Sequence, residues 1–440
     1  MACQDIESRE RELRLRVANG PSDPDDYISL AYLSYWTGRF EDSVRILRDA
    51  LRPALPELAR AVLLDSLGWY ILATDGGTAE PLSLAEQSLF LTLGRDPIEA
   101  LVGRADANSL LAHCFWESDR ERARDYAALA ASLYEQLMSR EPPPERHMLY
   151  GLPYSAACLE ALLGHSDDAT RLFETAMEEG NDVERLACRL DLGACYRAAG
   201  RLSDAREQLA RILKSTDVPR WLLLNACFEL GSLEKELGML AEARAKFQRA
   251  IEIVEGYPAF RACERIFLGS LDCVAEISEK LGDFAGAAVV SGALADHLPV
   301  SEPYHWYCLM REARCNFELG RHELALADAE QVAASSVPSE ADRESARSWV
   351  WSIRHSMAKL RYESKDYSAC IPECERLLST LEAGDERYPT VLLLLGHSYL
   401  FLKKGGAAKR CYEETLACEN ATPAQKACAT RYLATIEGKG

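Results

Sequence analysis

The amino-acid sequence predicts an all-α solenoid, one continuous domain of about ten stacked helical hairpins. Three observations carry that reading. A small pair such as Leu-Gly is followed seven residues later by a turn residue, then a bulky residue two on and an Ala three beyond, as in Leu192 to Leu213 and Leu230 to Ile251. The turn residue recurs at Gly38, Gly164, Gly200, Gly238, Gly282 and Gly320, with degenerate counterparts near Asp75, Asp119, Lys365 and Lys404. Their spacing, roughly 40 residues, is what two helices and two short loops require for one stacking unit. Apolar residues keep helical spacing on both sides of each turn, and neither βαβ alternation nor strand-length Val/Ile runs occur.

Taken in chain order, residues 4 to 18 predict a charged leading helix before Pro21, and Asp23, Asp25 and Asp26 predict the cap of the first repeat helix. The hairpin array then runs over residues 24 to 423. Within it, Gly193, Gly231 and Gly396 let a partner helix approach, while Ala205, Ala243, Ala287 and Ala325 seat the second helix close to the first. Pro56, Pro97 and Pro299 stand at the ends of second helices, where proline stops a helix sterically. The stretch Asp75 to Pro81 is an insertion, and its Asp75-Gly76-Gly77-Thr78 segment reads as a loop turn rather than an anion cradle, because it follows a helix. Residues 424 to 440 close the array, with Pro423 to Ile436 read as the capping helix. No Ser/Gly-rich linker marks a second domain, and the apolar fraction of 48% suffices for a core shared between repeats.

The pattern resembles the tetratricopeptide repeat. Gly200, Leu202 and Ala205 carry the likeness, as do Gly238, Leu240, Ala243, Phe247 and Ala250, and Gly282, Phe284, Ala287 and Pro299. Most units exceed the usual repeat length of that family, and those at Asp119 and Lys365 lack the glycine. The resemblance implies a right-handed superhelix and a role in protein-protein interaction.

Composition excludes several function classes. A formal charge of −19 disfavours nucleic acid, since phosphate binding needs clustered Lys and Arg. The amino terminus is polar and no apolar run is long enough to span a bilayer, so no membrane partner is expected and a cytoplasmic location is. Fifteen cysteines without CxxC pairs read as small core residues of a reducing compartment. Cys188 with Cys195, and Cys308 with Cys315, occupy matching small-residue positions, and Cys370 and Cys374 stand one helical turn apart without a second pair at ligand spacing. No metal and no cofactor is expected. HExxH, GxSxG, P-loop and GxGxxG motifs are absent, so no catalytic residue is assigned and the chain is read as not an enzyme.

What remains is a surface. The first helix of each hairpin lines the inner face, and the register exposes there Tyr32, Tyr35, Trp69, Trp116 and Tyr154, then Arg197, Phe228 and Lys235. Asp272, Glu276 and Glu279 follow as an acidic group, and then Tyr307, Arg314, Phe317, His355, Lys359 and Tyr362. Aromatic and Arg side chains anchor interfaces because they bury large area and keep a polar end. The competing reading packs several of these aromatics between neighbouring repeats, and leaves the acidic trio as a solvated face. Relatives that grip chaperone tails carry Lys and Asn at fixed groove positions; here Ile28 and Tyr32, Asp65 and Trp69, and Leu190 and Ala194 stand there, which disfavours that subclass. The expected function is a non-enzymatic scaffold or adaptor that holds a protein segment or helix. The alternatives are a sensor whose curvature changes on binding a small peptide or metabolite, and the regulatory subunit of a separate enzyme. Self-association stays open.

Overall fold

The computed structural model describes residues 3–19, 23–51, 55–75, 77–95, 97–140, 151–180, 182–216, 218–256 and 261–438. Pro21 and Gly76 lie outside these residues. Among the described residues there are 22 helices and no strand. Helix α1 (Cys3–Asn19) leads. Ten hairpins follow. The first five pair α2 (Pro24–Trp36) with α3 (Phe40–Ala50), α4 (Glu57–Asp75) with α5 (Ala79–Thr92), α6 (Ile98–Phe115) with α7 (Arg120–Met138), α8 (Leu152–Leu163) with α9 (Ser166–Glu179), and α10 (Asp182–Ala198) with α11 (Leu202–Lys214). The others pair α12 (Arg220–Glu236) with α13 (Leu240–Glu255), α14 (Arg261–Lys280) with α15 (Phe284–His297), α16 (Pro303–Glu318) with α17 (His322–Ala334), α18 (Glu340–Glu363) with α19 (Tyr367–Ser379), and α20 (Tyr388–Phe401) with α21 (Gly405–Ala417). Helix α22 (Pro423–Ile436) comes last.

The hairpin turns follow from backbone conformation. Gly38, Gly164, Gly200, Gly238, Gly282 and Gly320 all have positive φ, which glycine adopts without a Cβ penalty. Where glycine is missing, Lys365 (φ 65°) and Lys403 (φ 59°) take the same left-handed conformation. The last turn therefore centres on Lys403, one residue before the Lys404 that the periodicity marks; Lys404 is the N-cap of α21. The α6/α7 turn has no left-handed residue, and Asp119 instead caps α7 by accepting from the Arg122 amide at 3.1 Å. Asp23 accepts from the Asp25 amide at 3.2 Å at the start of α2, and Thr422 with Gln425 forms a capping box on α22.

Close packing explains the small residues. A Cβ on Gly193 would lie 3.0 Å from Leu209, one on Gly231 3.1 Å from Phe247, and one on Gly396 2.8 Å from Tyr412. In each case the glycine of a first helix seats a large side chain of the second. Ala205, Ala243, Ala287 and Ala325 are fully buried at the reciprocal crossing. Burying a side chain such as Phe247 contributes about 2–3 kcal/mol, which any push on the crossing erodes.

The chain divides into two compact units, Met1–Val274 and Ala275–Gly440. In the first, α1 covers the opening hairpin through the buried Leu13, and Glu10 ties it down by pairing with Arg14 (2.8 Å) and Arg39. The same unit returns on itself: Tyr35 and Phe40, of the first hairpin, pack with Trp221, Leu224 and Cys227 of the sixth. In the second unit, Cys370 and Cys374 are buried in one cluster with Cys411, their sulfurs 3.7 Å apart. Cys188, Cys195, Cys308 and Cys315 are buried as well.

Candidate functional site

The register that selects inner-face residues selects, in the structure, a seam between successive first helices. Tyr35 meets Tyr70, joining α2 to α4, at 5.3 Å between ring centroids. Trp69 meets His113, joining α4 to α6, at 4.8 Å. Tyr154 donates to Asp191 on α10 at 2.5 Å, Arg197 pairs with Glu229 on α12 at 3.1 Å and also with Glu236, and the Lys235 amine lies 3.8 Å from the sulfur of Cys273 on α14. The second unit repeats the arrangement, with Glu279 to Arg314 at 3.8 Å, Phe317 to Trp349 at 5.6 Å and Tyr362 to His397 at 6.2 Å. A residue at this position has one side against the next repeat and the other away from it. Half-burial is the geometric consequence.

In the first unit the packing side dominates. Tyr35 touches Phe40 (5.0 Å), Tyr70 and Trp221 (5.3 Å), and burial raises its hydroxyl and that of Tyr70 above the usual tyrosine range. Tyr32 packs against the same core. Burial pushes Asp191 up to about 6, although the hydrogen bond from Tyr154 works the other way. Phe228 lies edge-on to Phe247 at 5.7 Å, and the Arg120 guanidinium sits over the Trp116 ring at 5.4 Å. Beneath this seam lie two carboxylates: Asp65 accepts from Ser88 and Asp106 from Tyr134, both at 2.6 Å. Burial raises Asp106 to about 7 and Asp65 well above its ordinary value, and the Asp106 charge raises Asp65 further. Ile28 and Asp65 are buried, so two of the positions compared with the chaperone-binding relatives face the core.

The second unit presents more of the same face to solvent. Tyr307 is 48% exposed, stacks on Tyr304 at 5.4 Å and lies under the Arg311 guanidinium. Lys359 is exposed and pairs with Glu363 at 3.8 Å; beside it Leu360 is 47% exposed. His355 stacks on Trp351 at 4.9 Å, and burial, followed by the Lys359 charge, lowers its pKa. Tyr362 touches Tyr367, His397 and the exposed Phe401. Arg314 and Phe317 are half-buried. Of the acidic trio, Glu279 lies near Arg311 (3.9 Å), Arg314 and the Cys315 thiol, Glu276 pairs with Lys280 at 2.6 Å, and Asp272 is half-buried in the first unit. Glu276 and Glu279 are thus ion-paired groups.

Sequence reasoning omitted Tyr304, His397 and Phe401 from the face. Carried one hairpin further, from the Lys403 turn, the same register reaches His397 on α20, with Phe401 one helical turn beyond it; Tyr304 stands three residues before Tyr307, one helical turn away. Among the described residues no helix is long and apolar enough to cross a membrane, and no group of three or more His, Cys, Asp or Glu is placed to hold a metal ion.

Comparison with known proteins bears on the repeats themselves. The tetratricopeptide repeat model matches residues 162–226, the segment from the end of α8 into α12. No curated protein sequence matches the chain significantly. Among solved structures, the apo form of the quorum sensor NprR from B. thuringiensis is 14% identical, with 95% of this chain and 99% of that one covered at a TM-score of 0.44. The apo form of RapI is 10% identical, with 82% and 97% covered at 0.45. A tetratricopeptide repeat protein from Parabacteroides merdae is 14% identical, with 74% and 98% covered at 0.33.

Proposed function

We propose that this chain of tetratricopeptide-type repeats is a non-catalytic interaction scaffold, and that it receives a segment of another protein along the first-helix face of its second unit. The supporting observation is the difference between the two units. In the first, the matching side chains are engaged with Phe40, Tyr70, Trp221, Asp191, Glu229 and Glu236. In the second, Arg314, Phe317 and Tyr362 are likewise paired with a neighbouring repeat, but Tyr307 and Lys359 are exposed, with the exposed rings of Tyr304 and Phe401 beside Tyr307 and Tyr362. Aromatic rings interleaved with Arg314, His355, Lys359 and Tyr362 offer apolar area with polar ends, the composition that anchors a peptide or a partner helix. Tyr307→Ala with Lys359→Ala removes an exposed amine and a half-exposed ring that packs on Tyr304 and the Arg311 guanidinium, so the fold should survive, as a melting curve of the variant would check. Quantitative affinity capture from the native cell should lose at least one protein with this variant, and recovery of every captured protein at wild-type level would refute the assignment.

A second reading, a sensor, rests on the Tyr35–Trp221 contact. A ligand that favours a different curvature of the first unit has to break that contact, which makes it a natural two-state element. Small-angle scattering separates the readings, since a sensor changes its radius with a small peptide alone whereas a scaffold does not.

A further inference from the structure

A second surface lies away from the first-helix seam, between α11 and α13, where a cleft of about 720 Å³ runs over the C-terminal half of α12. Its walls carry Arg206, Arg211 and Lys214 from α11 and Lys246 and Arg249 from α13, against the carboxylates of Glu207 and Glu234. Five cations converge here in a chain whose formal charge is −19. Glu234 is 2% exposed and lies at the floor, where its Oε1 accepts from Arg206 at 3.2 Å and its Oε2 stands 4.0 Å from the Lys246 amine without a hydrogen bond. That carboxylate holds Arg206 from below, with the Lys246 amine near its second oxygen. Glu207 is taken by Arg211 at 2.5 Å. Lys214 and Arg249 are exposed and have no ion-pair partner among the described residues.

We propose that this cleft binds an acidic peptide segment of a partner protein. Carboxylates along an extended chain match guanidinium and ammonium donors spaced on two walls, and charge-assisted pairs of this kind are both stronger and more directional than neutral ones. The volume exceeds what a single small anion fills and accommodates several residues. The apolar edge formed by Leu213, Leu237 and Met239 gives their side chains a place to rest. A nucleic acid fits less well, because a polyanionic strand is opposed by the chain's net charge of −19. This site belongs to the first unit, so it stands or falls separately from the face proposed above.

The test uses the full chain and a fluorescein-labelled Asp/Glu-rich peptide in fluorescence anisotropy, with a Lys-rich peptide of equal length and a single-stranded oligonucleotide as comparisons. Saturable binding of the acidic peptide that weakens with salt is expected, with a loss of at least about tenfold in Lys214→Glu/Arg249→Glu. Tyr307→Ala/Lys359→Ala should bind this peptide as the wild type does. Should the charge-reversal pair lower the melting temperature, Lys214→Gln/Arg249→Gln supplies the comparison with a smaller loss. The proposal is overturned by absence of acidic-peptide binding at low salt, by unchanged affinity in the substituted chains, or by equal or tighter binding of the oligonucleotide.

Discussion

Replacing Gly231 by Ala tests the packing rule on which the repeat architecture rests. In isolation the change favours a helix interior by about 1 kcal/mol. In α12 the new methyl would stand 3.1–3.2 Å from three atoms of the Phe247 ring. That ring is fully buried and lies against Phe228 at 5.7 Å, so it has nowhere to swing. Overpacking of a tight core contact costs about 1–3 kcal/mol, and subtracting the helix gain leaves a net loss of about 1 kcal/mol. Gly406→Ala is the control: a Cβ there meets nothing within 4 Å, and the same chemical change should raise stability by about 0.5 kcal/mol. Urea unfolding followed by far-UV circular dichroism reads both. Hydrogen exchange over α12 and α13 localises the effect, because arrays of repeats need not unfold in one step. Adding Phe247→Leu to Gly231→Ala makes room for the methyl, so the double-mutant cycle should show a favourable coupling of about 1 kcal/mol. A stabilising Gly231→Ala, or a coupling near zero, would refute the reasoning.

Lys365→Gly should stabilise the second unit by about 1 kcal/mol by relieving the left-handed residue at φ 65°, and Gly320→Ala should cost a similar amount at φ 72°, both read as shifts of the urea midpoint. Asp106 gives a pH dependence: its pKa in the fold is raised to about 7, so the protonated form is the one the fold favours. Its contribution is complete below the ordinary aspartate pKa, declines as pH rises and is lost above about 7; unfolding midpoints should therefore fall between about pH 4 and 7, and Asp106→Asn should lessen that slope, Asp65 and Asp191 supplying the remainder. An unchanged slope in Asp106→Asn would place the titration elsewhere. Thr422→Ala removes the capping box of α22 and should lower stability by about 1 kcal/mol, with faster amide exchange confined to that helix.

Much of the fold was legible because each repeat solves the same local problem. A glycine turn, a glycine on the first helix and an alanine on the second recur together, so the hairpins could be counted before any contact was known. Legibility failed where another device does the same job: Lys403 adopts the glycine conformation one residue away from the marked position, and Asp119 replaces the turn glycine with a side-chain cap. Helical register identifies the seam residues, yet it carries no information on whether a distant helix will cover them. Tyr35 and Trp221 meet across 186 positions of sequence, a pairing that no local period encodes. The basic cleft was invisible for a related reason, since Arg206, Arg211 and Lys214 look like any solvated helix face until α13 is laid beside α11.

The proposal that the second unit, and not the first, receives a partner is reached most directly by photo-crosslinking. A benzophenone amino acid is placed at Tyr307 in one chain and at Tyr35 in another, and each is irradiated in the native cell before mass spectrometry. A discrete protein adduct from position 307, with only intramolecular products from position 35, is the predicted result. Adducts from position 35 with none from position 307 would contradict it.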